Sequence, residues 1–287
     1  MTMTRVFYDK NAGLCAGVKR TIRGAVKAVD EKTNVTTFGE LVHNPIVTQN
    51  LKNLGINFIH RKEELKNGQY VVVRAHGIPP QDEIYLKEKN IEYIDLTCPR
   101  VKIIHNKIDH YRELGYKIII VGYAGHAEAK GHLGHAGKNG IVVSSTGEVK
   151  NLRLGDRALI IAQTTISEKL FNDVIKALGN KIKNAEVANS ICPFVINRLK
   201  WIQKYSKMAE ASVIIGGYNS SNTKQLYEEA KKYSRAFWIA YPEELEIALL
   251  KSFKTVALTA GASTPDFTIQ KVVNIFRKNN FSVTAVK

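Results

Sequence analysis

Cysteine is scarce in this chain: 287 residues hold only Cys15, Cys98 and Cys192. The number is odd and the spacings, 83 and 94 residues, are wide. That excludes a disulfide framework and points to thiols in a reducing cytoplasm. No short Cys-x-x-Cys pair occurs, which removes the usual structural zinc site. Long apolar runs are missing too. MTMTRVFYDKNAG at the N-terminus has no secretory core, and KIIIV at 117–121 is only strand-sized, so no membrane association is expected. Acidic side chains are in deficit, 26 against 42 Lys and Arg, for a net charge of +16. Such a field attracts anions, whether nucleic acid, a phosphorylated metabolite or an acidic protein. The basic residues are spread along the whole chain, with no basic tail and no run interleaved with aromatics. Nucleic acid is therefore disfavoured as a partner, and a lysine-rich solvated surface accounts for most of the charge.

What is present is a threefold repetition. Twenty-eight residues beyond each cysteine lie His43, His126 and Ser220, in GELVHNP, GYAGHAEAKG and GGYNSSNT. A second polar cluster follows later in each unit: His76 in RAHGIPP, Thr164 and Thr165 in AQTTISE, Ser263 in TAGASTPD. Each cysteine heads a segment of helical periodicity, with Val18, Ile22, Ala25, Val26 and Val29 on one face of the first. Short apolar runs at 35–38, 117–121 and 212–215 predict strands that end at the first motifs. Runs at 56–59, 141–145 and 236–240 come next. Those at 70–74, 158–162 and 255–259 lead straight into the second motifs. New helices are expected from Pro79, from Ser167 to Leu178 and from Pro265 to Lys278.

Strands alternating with helices imply parallel sheets covered by helices. Ligands of such sheets collect outside the carboxyl ends of the strands, where all six motifs fall. The predicted organisation is three α/β units, 14–97, 98–189 and 190–287, with residues 1–13 adding a strand to the third. Three such units closing around a common axis would form a trefoil with the thiolates at its centre.

A lone cysteine is ordinarily a small buried apolar residue. Here GLCAGV, LTCPRV and SICPFV each place one before a helix, where the N-terminus favours a thiolate and ligation. Three thiolates without a fourth fit a 4Fe–4S cluster with one open iron. Among eight histidines, His43, His76 and His126 occupy equivalent strand ends and can donate to phosphate oxygens. His60, His105, His110, His132 and His135 have no repeat-wide counterpart and are read as structural or surface residues. Ser220, Ser221, Asn222 and Ser263 supply hydroxyl and amide donors beside helix starts, an arrangement compatible with capping and with anion binding. Glu128 follows His126 by two residues. As an acid beside Thr164 it could relay a proton to a leaving hydroxyl; alternatively it is a surface glutamate on a loop.

GLCAGVKR, LVHNP, AHG, LTCP, GHAEAKG, QTT, GGYNSSNT and TAGASTPD, in this order, resemble the 4-hydroxy-3-methylbut-2-enyl diphosphate reductases from about residue 11 to residue 276. The resemblance implies the trefoil of three α/β units around a central cluster, ligated by Cys15, Cys98 and Cys192. It implies that His43, His76, His126, Ser220, Ser221, Asn222 and Ser263 hold the diphosphate. Glu128 and Thr164, with His126 beside them, would handle the proton. The implied reaction is a two-electron reductive dehydroxylation in which the open iron takes the substrate hydroxyl. The products are isopentenyl and dimethylallyl diphosphate, and a ferredoxin or flavodoxin is the implied electron donor. CPFVINRLKWI after Cys192 and PRVKIIH after Cys98 depart from the usual family wording. An iron–sulfur sensor or carrier that has kept the cluster is the alternative these departures leave open.

Overall fold

The computed structural model describes residues 3–152 and 154–287. The first strand, β1 (Arg5–Asp9), is followed by β2 (Val35–Phe38), β3 (Asn57–Ile59), β4 (Tyr70–Val73) and β5 (Tyr93–Asp95). Next come β6 (Lys117–Val121), β7 (Gly140–Val143), β8 (Arg157–Ala162) and β9 (Asn184–Ala188). The last four are β10 (Ala211–Ile215), β11 (Arg235–Ile239), β12 (Thr255–Ala260) and β13 (Ser282–Val286). They form three sheets in which every pairing is parallel: β3-β2-β4-β5, β7-β6-β8-β9 and β11-β10-β12-β1-β13. The expected three parallel-sheet α/β units are thus present.

One topology is written three times. Each sheet runs second, first, third, fourth strand of its unit, and the last admits β1 between its third and fourth members. β1 matches Arg5 with Thr255 on one side and with Ser282 on the other. In every sheet the chain leaves the first strand toward one edge and the third strand, its neighbour, toward the other. The carboxyl ends of β2 and β4, β6 and β8, β10 and β12 are therefore switch points, where a parallel sheet opens a crevice for a ligand.

The central strands are covered on both faces, which explains why they read as unbroken apolar runs. Val71–Val73, Ile118–Val121, Leu159–Ala162, Val213–Ile215 and Val256–Leu258 are sealed from solvent. Each such Val, Ile or Leu side chain contributes about 1.5–3 kcal/mol through the area it removes from water. The fourth strands lack this signature: Tyr93–Asp95 is half-buried, and most of Asn184–Ala188 is exposed. Those strands, and β13, escape a reading based on apolar runs.

Two compact units carry the sheets. The residues up to Lys19 with Val42–Leu51 and Pro193–Lys287 form one, built on the five-stranded sheet. Arg20–Leu41 with Lys52–Cys192 form the other, which holds both four-stranded sheets. Among the described residues, no helix is long and apolar enough to cross a membrane.

Candidate active site

The cysteines stand in equivalent places. The Cys98 amide donates to the carbonyl of Ala75 at 3.0 Å, that of Cys192 to Thr164 at 2.9 Å, and that of Cys15 to Ala262 at 3.1 Å. Each acceptor belongs to a second polar motif: His76 follows Ala75, Ser263 follows Ala262, and Thr164 is itself the motif residue. Every cysteine loop is thus pinned to a loop at a switch point, and each cysteine immediately precedes a helix, Ala16–Glu31, Pro99–Glu113 or Pro193–Ser206. All three are half-buried thiols. The amide of Val18 donates to Cys15 Sγ at 3.4 Å, the bond that a thiolate at a helix N-terminus accepts.

On the unit with the five-stranded sheet, the serines and Asn222 gather at the ends of β10 and β12. Ser220 caps the helix Ser221–Ala230, its hydroxyl accepting the Thr223 amide at 3.3 Å. Asn222, only 4% exposed, accepts the Ala262 amide on Oδ1 at 2.9 Å, while its Nδ2 is buried with no hydrogen-bond partner among the described residues. A buried donor left unpaired is costly, which marks a place where an acceptor is expected to sit. The Ser263 hydroxyl donates to the carbonyl of His43 at 3.0 Å. Gly216 and Gly261, just beyond β10 and β12, make the slot for Thr223; a Cβ on either would collide with its hydroxyl. The cradle therefore combines hydroxyls, a primary amide and first-turn helix amides, the donor set that holds an anion.

Arg198, which sequence reasoning passed over, lies beneath this unit's cysteine loop. It is 3% exposed and donates to the carbonyls of Ala260, Asn11 and Gly13. Its Nε stands 3.8 Å from Asp9 Oδ2, and the guanidinium covers the Phe194 ring. Burial pushes its pKa down to about 10, against the pull of Asp9, so it remains charged at neutral pH. The unusual stretch after Cys192 thus has a defined structure: Val195, Arg198, Trp201, Ile202 and Tyr205 form its buried face.

On the other unit, His126 is the N-cap of the helix Ala127–Ala136, its Nδ1 accepting the Glu128 amide at 3.2 Å. A neutral His126 is thereby fixed with its proton on Nε2. The His76 and His126 rings meet edge to face at 5.4 Å between centroids. Glu128 belongs to the first turn of that helix and is 2% exposed, which rules out the surface-loop alternative. Its Oε1 accepts the Thr164 amide at 2.6 Å, and its Oε2 lies 2.7 Å from Thr164 Oγ1. Burial raises the Glu128 pKa, but the neighbouring His132, the His126 charge and the Thr164 amide outweigh it and hold the carboxyl below its ordinary value. Gln163, also missed, donates to Thr165 Oγ1 at 2.8 Å and accepts the Tyr123 amide at 3.0 Å, fixing the loop after β8.

His105, His132 and His135, read from the sequence as structural or surface residues, pack against one another. His105 and His132 are buried, and the ring of His105 packs where Gly77 and Gly131 leave no Cβ in its way. A helical period is hard to see in AEAKGHLGHA, whose inward face is Glu128, Ala129, Gly131, His132 and Ala136. Helical spacing from Glu128 is the signal that would have found His132.

The family model for LytB protein matches residues 6–277. The chain belongs to the LytB protein family. It is 36% identical over 275 residues to the 4-hydroxy-3-methylbut-2-enyl diphosphate reductase of Aquifex aeolicus, covering 94% of this chain and 95% of that one. It is 30% identical to the Clostridioides difficile protein of the same name, over 92% and 96% of the two chains. Among solved structures it is similar to the E-1-hydroxy-2-methyl-but-2-enyl-4-diphosphate reductase of Plasmodium falciparum. The TM-score there is 0.93 at 27% identity, over 99% of this chain and 92% of that one. A second structure, (E)-4-hydroxy-3-methyl-but-2-enyl diphosphate reductase, matches with a TM-score of 0.70 at 35% identity, over 96% and 100% of the chains.

Proposed function

We propose that this chain reduces 4-hydroxy-3-methylbut-2-enyl diphosphate, with two electrons and two protons, to isopentenyl and dimethylallyl diphosphate and water. The observation that carries the reading is the buried pair of Glu128 and Thr164, a proton-handling couple in the helix after β6 and the loop after the adjacent β8. A carrier or sensor has no use for such a couple.

Cys15, Cys98 and Cys192 fit a 4Fe–4S cluster in the chemistry of their donors: three thiols in matching loops, each at a helix start. Such a cluster, when bound, supplies the electron path and an open Lewis-acidic iron. The rest falls to side chains. His43, His76, His126, Ser220, Ser221, Asn222 and Ser263 bind the diphosphate, neutralising its charge and fixing the allyl alcohol. Once protonated, Glu128 gives its proton to Thr164 Oγ1 as the threonine hydroxyl gives its own to the departing hydroxyl, which leaves as water. A carboxylic acid buried beside a hydroxyl passes the proton without admitting bulk solvent. An acidic ferredoxin or flavodoxin suits the net charge of +16 as electron donor, and three thiols suit a reducing cytoplasm.

The test is anaerobic turnover by cluster-reconstituted protein, followed as oxidation of reduced methyl viologen. Oxidation dependent on 4-hydroxy-3-methylbut-2-enyl diphosphate is expected. Silence from fully loaded protein would shift the reading to an iron–sulfur sensor.

A further inference from the structure

Glu128 is approached from two sides. Thr164 Oγ1 meets Oε2, while Oε1 lies 3.3 Å from His132 Nε2, off the line of a full hydrogen bond. The helix places residues 128 and 132 one turn apart on one face, and His132 is 0% exposed. Behind His132 stands His105, ring edge to ring face at 5.1 Å, and His105 stacks on His135 at 4.0 Å. His135 Nδ1 is 2.8 Å from Asp109 Oδ2, and both side chains are partly exposed. His105, Asp109 and His135 line a pocket of about 250 Å³. Three imidazoles therefore run from a surface pocket to the far oxygen of a buried carboxylate.

The proposed reaction takes up two protons per substrate, and Glu128, its carboxyl held below the ordinary value, must be given the one it passes on. After giving it up through Thr164, the carboxylate must be recharged within the protein. We propose that His132 acts through Glu128, giving a proton to Oε1 that half a turn of the carboxyl brings to Thr164 Oγ1. This deepens the reductase reading and rests on it. Only protons move: the Nε2–H bond of His132 breaks and an Oε1–H bond forms, while the electrons are those of the donor. His132 regains its proton from the end of the cluster that meets solvent at Asp109 and His135. The charged and titratable groups around the histidines are Glu128, His126 and His135 on the His132 helix and its N-cap, Lys102, His105, Asp109 and Arg112 on the helix Pro99–Glu113, Tyr93 and Asp95 of β5, and Glu83 on the helix Pro80–Glu88. Burial, reinforced by His135 and His132, pushes His105 down to about 2, so it stays neutral and accepts a proton only as it yields another.

The experiment uses cluster-loaded His132→Gln and His132→Ala. In steady state kcat is expected to fall about tenfold or more with KM unchanged. A rapid-mixing first turnover is expected to slow by the same factor, because Glu128 starts as a carboxylate and receives through His132 the proton it passes on. Added imidazole is expected to restore turnover to His132→Ala. A readout independent of activity is the infrared carboxyl band of the unloaded protein, which His132→Gln is expected to titrate at higher pH. Unchanged kcat, or a first turnover at the wild-type rate, would overturn the proposal. Should both variants fail to fold, Asp109→Asn at the pocket serves instead: kcat about threefold lower with KM unchanged supports the route, and full activity overturns it. An inactive wild type overturns the reductase reading and this inference together; an active wild type with an unaffected His132→Gln overturns this inference alone.

Discussion

Arg198 and Asp9 form an ion pair inside one compact unit, Nε to Oδ2 at 3.8 Å, with both side chains shielded from solvent. Thr259 Oγ1 donates to the same carboxylate oxygen at 2.9 Å, and the guanidinium binds backbone carbonyls on both sides of the sheet end. A buried pair of this kind is not by itself a large source of stability, but removing one partner strands the other. Arg198→Ala is expected to cost about 3–5 kcal/mol in urea unfolding of the unloaded protein. Arg198→Lys, which cannot span three carbonyls, is expected to recover only part of it. Because Asn11 and Gly13 lead into Cys15, both variants are also expected to retain less iron after reconstitution. A loss below about 1 kcal/mol, the scale of a surface pair, would show that the pair does not hold this loop.

Glu128 offers a sharper test of the chemistry. Glu128→Gln keeps the shape and the Thr164 amide bond but removes the transferable proton. Turnover is expected to fall by about 10² or more, with the KM for the diphosphate changed little, because the residue acts on the leaving hydroxyl and not on the charged end. Steady-state kinetics would settle it: a variant whose KM rises while kcat holds would assign Glu128 to binding.

Much of this is legible in the sequence, and the reason is periodic burial. Val71–Val73, Ile118–Val121 and Val256–Leu258 are covered on both faces and so appear as apolar runs, each ending where a polar motif begins. Cys15, Cys98 and Cys192 were visible because they recur in the same local setting. Arg198 and His132 were not. Each is a polar residue whose meaning lies in partners far away in sequence or one turn along a helix with no apolar stripe. Arg198 is tied to Gly13, 185 residues distant, and no local pattern records such a bond. Glu128 lies beside Thr164, but its burial is not legible in the sequence, since AEAKGHLGHA buries small and polar side chains rather than apolar ones.

Asn222 separates binding from chemistry in the opposite sense to Glu128. Its Oδ1 holds the Ala262 amide, and its buried Nδ2 awaits an acceptor. Asn222→Ala removes one hydrogen bond to a charged group, worth about 1.5–3 kcal/mol, so KM is expected to rise roughly ten- to hundredfold. Asn222→Asp, which keeps the Ala262 bond but sets a negative charge in the cradle, is expected to be worse. Calorimetry with inorganic pyrophosphate gives an independent check, and equal affinities for the wild type and Asn222→Asp would remove Asn222 from the cradle.

His105 ties the stability of the fold to pH. Burial holds its folded pKa at about 2, against an ordinary value of 6.5 in the unfolded chain. Between those limits the unfolded state binds the extra proton. The stability His105 allows is therefore complete above pH 6.5 and declines below it, by about 1.4 kcal/mol per pH unit. His135, lowered first by its own burial, acts in the same direction, whereas Glu128 adds to the loss only in the carboxylate range, near and below its ordinary 4.5. The window from pH 6.5 to 5 thus isolates the imidazoles. Urea unfolding of the unloaded protein is expected to lose stability across that window, and His105→Gln to reduce the slope by about one proton whatever its cost at pH 7. An unchanged slope in that variant would mean that His105 becomes protonated in the folded protein, and that the ring between Gly77 and Gly131 is open to water.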